Sequence, residues 1–551
     1  MRRFTVAAVL VVVGLAMLTP PVFAQAPTPK VTISGLFDQV TSMGRNFYDG
    51  NLTRNSDSEW YARTRFRPDF EFAVGRVRAV LGIEIDLMYG QAGPNDGGFP
   101  GNVSGAPGGV AGGTKVNTNG ALDLNSDVGG MLEVKWIYTE FPLTGKDSLL
   151  PFIPITTMAR AGAQPFDSIA NYKLAAYATG DFAGIAAFTT IVPQVRSNLA
   201  WVILEDQLAG ANRGNPSTKT GRGEDYVLIA SVDVTPTKGL DIKPLYSWFH
   251  ADGQTAGSAR RNLTNPNSVG GTINAAGSRA AGNPPPAAGS PDFHEDRHTV
   301  GFDARWRLGG FGLDPTFFYQ FGHYETSASD GGGGPRRIRG DISAFLFDLI
   351  ASYQLGPILF EARGAYSPGN SARDNLAKKI NYYQPLSTDG VYFAGNWTQF
   401  WSAGIDYFNQ GWATTGNYVG YDRYGRGSIA GRVTYNFTPA VSLYGLVHAF
   451  LTAQSVDTDT GSVLASAAGS GTPARTANNA NSFLEGDSNY LGTELNLGLT
   501  WRFSANAAFD LVGGYLFAGS ALEATEVVGG NAVKKDAEDA YTLAARVRLA
   551  F

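Results

Sequence analysis

The residues most suggestive of chemistry are His294, Glu295, Asp296, Arg297 and His298, which fit the H-E-x-x-H zinc pattern. In that pattern two imidazoles four residues apart share one helical face, and the glutamate activates a metal-bound water. Here a proline-rich stretch precedes the histidines and an alternating, strand-like stretch follows, with no third ligand at an expected spacing. The motif therefore reads as the edge of a loop. A serine hydrolase would need a histidine and an orienting polar group beside its nucleophile. None of the five histidines, His250, His294, His298, His323 and His448, lies in a recognisable segment of that kind. A G-x-x-x-x-G-K-S/T phosphate loop is also absent from the sequence. Asp457, Asp459 and Gly461 read as a solvated acidic loop before they read as a calcium site. No enzymatic step, metal or cofactor is expected.

Arginine is where the spacing becomes specific. Arg63, Arg65 and Arg67 recur every second residue, which in a strand places all three on one face. Arg76 and Arg78 follow across a turn, and Arg305, Arg307, Arg546 and Arg548 repeat the spacing far along the chain. Asp69, Glu71, Glu84, Asp86 and Asp303 share those faces and supply the opposite sign. Fixed charges of both signs on the wall of a water-filled space create a transverse field that orients and filters hydrated solutes. Arg63, Arg65, Arg67, Arg76, Arg78, Glu84, Asp86, Arg305, Arg307, Arg546 and Arg548 are the expected pore-lining charge filter.

Such a filter needs strands with one apolar and one polar face. Residues 59–72 supply one: Trp60, Ala62, Thr64, Phe66, Pro68, Phe70 and Phe72 alternate with the arginines and acids. The stretch is longer than the usual five or six residues of a globular strand, and it carries aromatics at both ends of the apolar face. After a turn at Gly75, residues 77–89 repeat the pattern, as do 298–308 and 494–503. In the last stretch Tyr541, Leu543, Ala545, Val547, Leu549 and Phe551 fall opposite Arg546 and Arg548. About ten such residues suffice for a tilted strand to cross a bilayer.

Connections alternate as well. Short ones are predicted near Gly75, 144–154, Gly180, 236–239, 309–310, 356–357, 438–439 and 504–506. Long polar ones are predicted at 46–57, 90–129, 164–171, 192–224, 251–295, 326–337, 367–424, 453–489 and 520–538. The alternation requires 172–179 and 181–190 to be separate strands, and 367–424 to be one loop although 399–408 looks strand-like. The expected fold is all-β, a transmembrane antiparallel β-barrel of about eighteen strands, with sixteen or twenty also compatible. Composition agrees: 69 glycines, 12% aromatic residues and no cysteine. The net charge of −5 gives no reason to expect nucleic acid. At the start, Arg2 and Arg3, an apolar core over 7–18 and small residues before Ala24 read as an export signal spanning 1–24. Cleavage after Ala26 is the competing site. Residues 25–551 then form a single domain.

Val31, Thr32, Gly35, Asp38 and the terminal Phe551 stand where the general outer-membrane porins of Gram-negative bacteria carry such residues, and the chain resembles them. Residues 63–68, 492–501 and 513–519 look similar to alginate-export-type barrels, which are eighteen-stranded with arginine-lined pores. These resemblances imply a bacterial outer-membrane channel for passive diffusion of small hydrophilic solutes or ions. They also imply surrounding outer-membrane lipid and lipopolysaccharide, recognition of Phe551 by the barrel-assembly machinery, and a homotrimer. Two alternatives are a channel for anionic saccharides and a barrel sheath around a partner protein. The porin resemblance also implies a long third outer loop folded inward. The predicted third loop, 164–171, is short, so 90–129 or 367–424 is expected to narrow the pore instead.

Overall fold

The structure, a computed structural model, describes residues 27–46, 58–88, 126–128, 132–166, 169, 172–173, 177–178, 181–203, 226–252, 294–328, 336–371, 374, 379–386, 397–401, 424–456, 486–528 and 531–551. The predicted export signal, Asp457, Asp459, Gly461 and most of 90–129 lie outside the described residues.

Eighteen strands form the wall. In chain order they are β1 (Lys30–Arg45), β2 (Ser58–Val74), β3 (Val77–Met88), β4 (Leu132–Thr144), β5 (Thr157–Pro165), β6 (Asp181–Val192), β7 (Val195–Ile203), β8 (Tyr226–Thr237) and β9 (Leu240–Asp252). They continue with β10 (His294–Leu308), β11 (Phe311–Ala328), β12 (Arg336–Leu355), β13 (Ile358–Ser367), β14 (Arg426–Thr438), β15 (Val441–Val456), β16 (Ser488–Ser504), β17 (Ala507–Ala518) and β18 (Ala540–Ala550). Each pairs antiparallel with its neighbours in sequence, and β18 returns to pair with β1, with Asp38 opposite Arg548. Gly35 and Phe551 exchange backbone hydrogen bonds of 2.9 and 3.0 Å at the seam. The sheet has no open side edge, so every wall strand has a partner on both sides.

The expected barrel of eighteen strands is what forms, with one exchange among its members. Of the expected strand 172–179, the described residues Tyr172, Lys173, Tyr177 and Ala178 are not in a strand and belong to the connection between β5 and β6. The strand needed for an even count is β7, which was expected to be loop. The chain reverses between Val192 and Val195, where Pro193 fixes the φ that the first inner position of a tight turn needs. The other short turns fall close to where they were predicted. At Gly309 (φ 59°) and Gly356 (φ 54°) the backbone is left-handed, a conformation that glycine adopts without a Cβ clash.

Alternation sets the two faces. Trp60 and Phe72 on β2, Phe317 and Phe321 on β11, and Leu497 and Trp501 on β16 are exposed on the outside. The alternate residues face the lumen, and many are fully buried there although polar. Inside, three aromatic rings each lie flat on the glycine directly opposite: Trp136 on Gly82, Tyr324 on Gly340 and Tyr444 on Gly498. A Cβ on those glycines would stand 2.0, 2.2 and 2.1 Å from the ring. Such pairs fix the strand register from the inside of the wall.

Besides the eighteen strands, Ser126–Val128 pairs antiparallel with the start of β4, and two further pieces are present. Strand β13 reaches only part of the way up β12, and Lys379–Ile380 pairs in parallel with Asp341 and Ile342 above it. Between β17 and β18, Ala524–Val528 and Asn531–Lys535 make a separate hairpin.

Candidate functional site, a charged lumen crossed by two loops

The arginine ladder of β2 runs from the long-loop end toward the short turns, and its environment changes along the way. Arg63 is 1% exposed, the Arg65 side chain 6%, that of Arg67 28% and that of Glu71 38%. The upper rungs are packed away and the lower ones face an open vestibule. Arg65 and Arg67 both reach Glu84 on β3, at 2.7 and 2.8 Å, and Lys135 on β4 approaches the same carboxylate at 3.5 Å. Arg78 bridges Glu71 (3.1 Å) and Glu140 (2.9 Å), and Arg160 joins Glu140 at 2.9 Å. Arg76 lies at the rim and donates to the Lys146 carbonyl at 2.9 Å. Asp86 stands in register opposite Arg65.

Closure brings the last strand to the ladder as the sequence suggested. Asp38 stands in register between Arg65 and Arg548, and Arg548 pairs with it at 2.6 Å. Arg546 reaches instead to Asp510 on β17, at 2.7 Å. Arg305 and Arg307 are not part of this group. They sit on β10, on the far wall, beside Asp241 (3.7 Å) and Asp314 respectively. The cations therefore meet carboxylates mostly on the next strand, and the field alternates in sign around the wall instead of running from one side to the other.

Among the described residues, those of two loops enter the lumen. Residues 166–180 make the third long connection, longer than expected, and its described residues Phe166, Ile169, Tyr172, Lys173, Tyr177 and Ala178 lie inward. Backbone N–H of Lys173 donates to Asp303 on β10 at 2.9 Å, and its ammonium donates to the Thr316 hydroxyl (2.7 Å), the Asp348 carbonyl (3.1 Å) and the Asp314 carbonyl. Burial holds that ammonium below the usual lysine range, against the pull of Asp348 and Asp303. The Tyr172 ring lies under Arg305 (4.2 Å) and Lys243 (4.6 Å) while its hydroxyl donates to Asp233 at 3.2 Å.

The second loop belongs to the connection between β13 and β14, of which residues 368–371, 374, 379–386, 397–401 and 424–425 are described. Its Gln384 exchanges hydrogen bonds of 2.8 and 2.7 Å with Gln320 and accepts from Arg297. Trp397 lies under Arg432, 4.4 Å from the guanidinium, and its carbonyl is 2.8 Å from His448 Nδ1. Thr398 donates to the buried Glu494. The loops also meet each other, through Leu386 N–H and the Tyr177 carbonyl at 2.8 Å. Phe166, Ile169, Tyr177, Leu386, Phe400 and Trp401 all belong to one buried apolar cluster with wall residues. Of the two stretches expected to narrow the pore, the described residues of 367–424 lie in the lumen, and 90–129 lies almost wholly outside the described residues. The expectation that the third loop is too short to enter the lumen does not hold.

The charged residues around these loops were not singled out from sequence, although some were within reach. Arg363 and Asp348, 2.6 Å apart, and Arg432 and Glu361, also 2.6 Å apart, obey the same two-residue alternation as the β2 ladder. Lys173 carries no such signal, because its place depends on how a loop folds.

No protein-family model matches the sequence, and no curated protein does. Solved structures do. The chain is similar over 95% of its length to Pseudomonas aeruginosa OccK8 (OprE), with 11% identity, 98% of that chain covered and a TM-score of 0.46. It is similar to Acinetobacter baumannii OccAB1 at 10% identity, over 95% of this chain and 96% of that one, with a TM-score of 0.45. A BenF-like porin from Pseudomonas fluorescens Pf-5 matches at 12% identity, over 95% and 99%, with a TM-score of 0.43. At this degree of overlap the fold rests on the chain's own strand pairing. The likeness to alginate-export barrels gains no support from these three.

Proposed function

We propose that this chain is a Gram-negative outer-membrane porin, exported under the signal at 1–24, that forms a water-filled channel for passive diffusion of small hydrophilic solutes or ions. The observation that carries the reading is the closed eighteen-strand wall, apolar outside and charged inside. A closed barrel leaves no backbone group unpaired in hydrocarbon, and a polar lumen gives water a path. The short turns then face the periplasm and the long loops the outside. Arg67, Glu71, Arg78, Arg305, Arg307 and Arg548 are water-accessible charges of the vestibule, and the two inward loops set the size limit. The pairing of the arginines with carboxylates speaks against a conduit for a polyanion, which would need a dominant positive field. The chain's own aromatics in the lumen speak against a sheath threaded by a second protein. Lipid and lipopolysaccharide around the belt, recognition of Phe551 by the assembly machinery and a homotrimer complete the proposal. No catalytic step belongs to it.

The test is single-channel current from the refolded mature chain in a planar bilayer under a salt gradient. Steady conductance steps with a weak ion preference are the expected result. A folded, heat-modifiable barrel that passes no current would overturn the porin reading.

A further inference from the structure

Four of the five histidines, scattered in sequence, gather on the outer wall at the long-loop end. Residues 294–298 are the first five residues of β10, so His294, Asp296 and His298 share one face while Glu295 and Arg297 are buried on the other, 3.2 Å apart. This separates the glutamate of the H-E-x-x-H pattern from its histidines and removes the metalloprotease arrangement. It builds a different one. His250 on β9 and His323 on β11 are the residues directly opposite Asp296 on either side.

The geometry around Asp296 is already convergent. Its Oδ1 is 2.8 Å from His250 Nδ1, and its Oδ2 is 2.9 Å from His294 Nε2. The candidate donor atoms of these three residues all lie within 4.8 Å of one another, and the two imidazole rings stand 5.2 Å apart at 75°. Trp248 Nε1 donates to Oδ1 at 2.8 Å, an outer contact that orients the carboxylate as second partners do in metal sites. The Tyr226 ring packs 5.0 Å from His250 on the remaining side. His323 is next, its ring 6.0 Å from that of His294. No other group of three such side chains comes this close among the described residues.

We propose that His250 Nδ1, His294 Nε2 and the Asp296 carboxylate bind one divalent transition-metal cation of the zinc, nickel or copper class, with His323 or water filling the remaining position. Two imidazole nitrogens and one carboxylate suit these borderline ions and not calcium or magnesium, which take oxygen donors. Ligand bonds of about 2.0–2.2 Å around a tetrahedral ion place neighbouring donors roughly 3.3 Å apart, so the nitrogen and oxygen atoms need to part by only a few tenths of an ångström. The ion clamps β9 to β10 at the point where the chain leaves for residues 253–293. The site lies outside the lumen, and its occupation is independent of solute passage.

The test uses the refolded mature chain in detergent, carrying no polyhistidine tag and stripped with chelator. Zn2+ is titrated by calorimetry, and Cu2+ and Ni2+ by quenching of tryptophan emission. One ion per chain is expected at pH 7.5, with affinity falling at least tenfold in His250→Ala, His294→Ala and Asp296→Asn. Calcium should not compete. Should a variant fail to fold, electron paramagnetic resonance of Cu2+ on the unaltered chain decides the matter, since two imidazoles split the signal by nitrogen coupling. No binding at pH 7.5, binding indifferent to His250→Ala and His294→Ala, or a copper signal without nitrogen coupling each overturns the site.

Discussion

Glu84 holds together more positive charge than any other carboxylate of the early wall, with Arg65, Arg67 and Lys135 all within 3.5 Å. It is almost fully buried, so its charge acts through a medium that screens poorly. Glu84→Gln keeps the shape and removes the charge, leaving three cations to face one another and the vestibule below. The reversal potential under a salt gradient should move toward chloride, and a shift of zero or toward potassium would mean that the ladder does not act on the solute path. The same change should lower stability by about 3–5 kcal/mol, the usual cost of orphaning one side of a buried ion pair, as read from the urea midpoint of the folded barrel. At this scale the sequence was readable wherever a residue sat on a regular strand. The Arg63, Arg65 and Arg67 ladder and the approach of Arg548 follow from the two-residue period and from closure alone. What the period does not give is the partner: whether Arg546 meets Asp510 or the early ladder depends on register, and one residue of slip would change the answer.

Among the elements, the connection 166–180 is tied to the lumen wall through Lys173. Three acceptors on β11 and β12 take its ammonium protons. Lys173→Met should free the loop, giving larger and noisier single-channel steps, whereas unchanged steps would mean that the loop is held without it. Protonation carries a second expectation. Burial lowers the lysine pKa when the loop is docked, and the undocked loop would have the ordinary value of about 10.4. Docking therefore releases a proton in the window between the two, and by linkage it strengthens as pH rises through that window. Below the window it is indifferent to pH. Current noise should fall as the bath is raised toward about pH 10, a trend absent from Lys173→Met, and noise that rises instead would contradict the docked geometry. The loop also explains the one strand misread from sequence. Tyr177 and Ala178 pack into the buried apolar cluster inside the lumen, and a loop that buries such side chains imitates half a strand. Meanwhile Val195–Ile203 alternates properly, with Leu199 exposed outside and Asn198 buried inside, but follows a turn so short that 192–224 reads as one polar stretch. The two errors offset each other, which is why the strand total came out right.

At the scale of the whole molecule, closure converts one repeated local rule into a boundary between two solvents. The rule is legible in the sequence because each strand obeys it separately. The narrowed middle of the lumen is not, since it arises from residues far apart in the chain meeting inside the barrel, such as Tyr177 with Leu386 through the backbone and Thr398 with Glu494 through side chains. An outer face in contact with hydrocarbon has an energetic signature that an outer face in water lacks, and it varies with depth. Leu497 lies near the centre of β16 and Phe503 near its short-turn end, both exposed on the outside. Arginine near the bilayer midplane costs about 2–4 kcal/mol and near the interface about 0–1 kcal/mol. Leu497→Arg should therefore destabilise the barrel folded in lipid vesicles by the larger amount and Phe503→Arg by the smaller, measured as urea midpoints on the same lipid. In a soluble sheet both arginines would face water and neither would cost much. Equal, small effects at the two depths would remove the membrane from the account, and with it the reason for the wall to close.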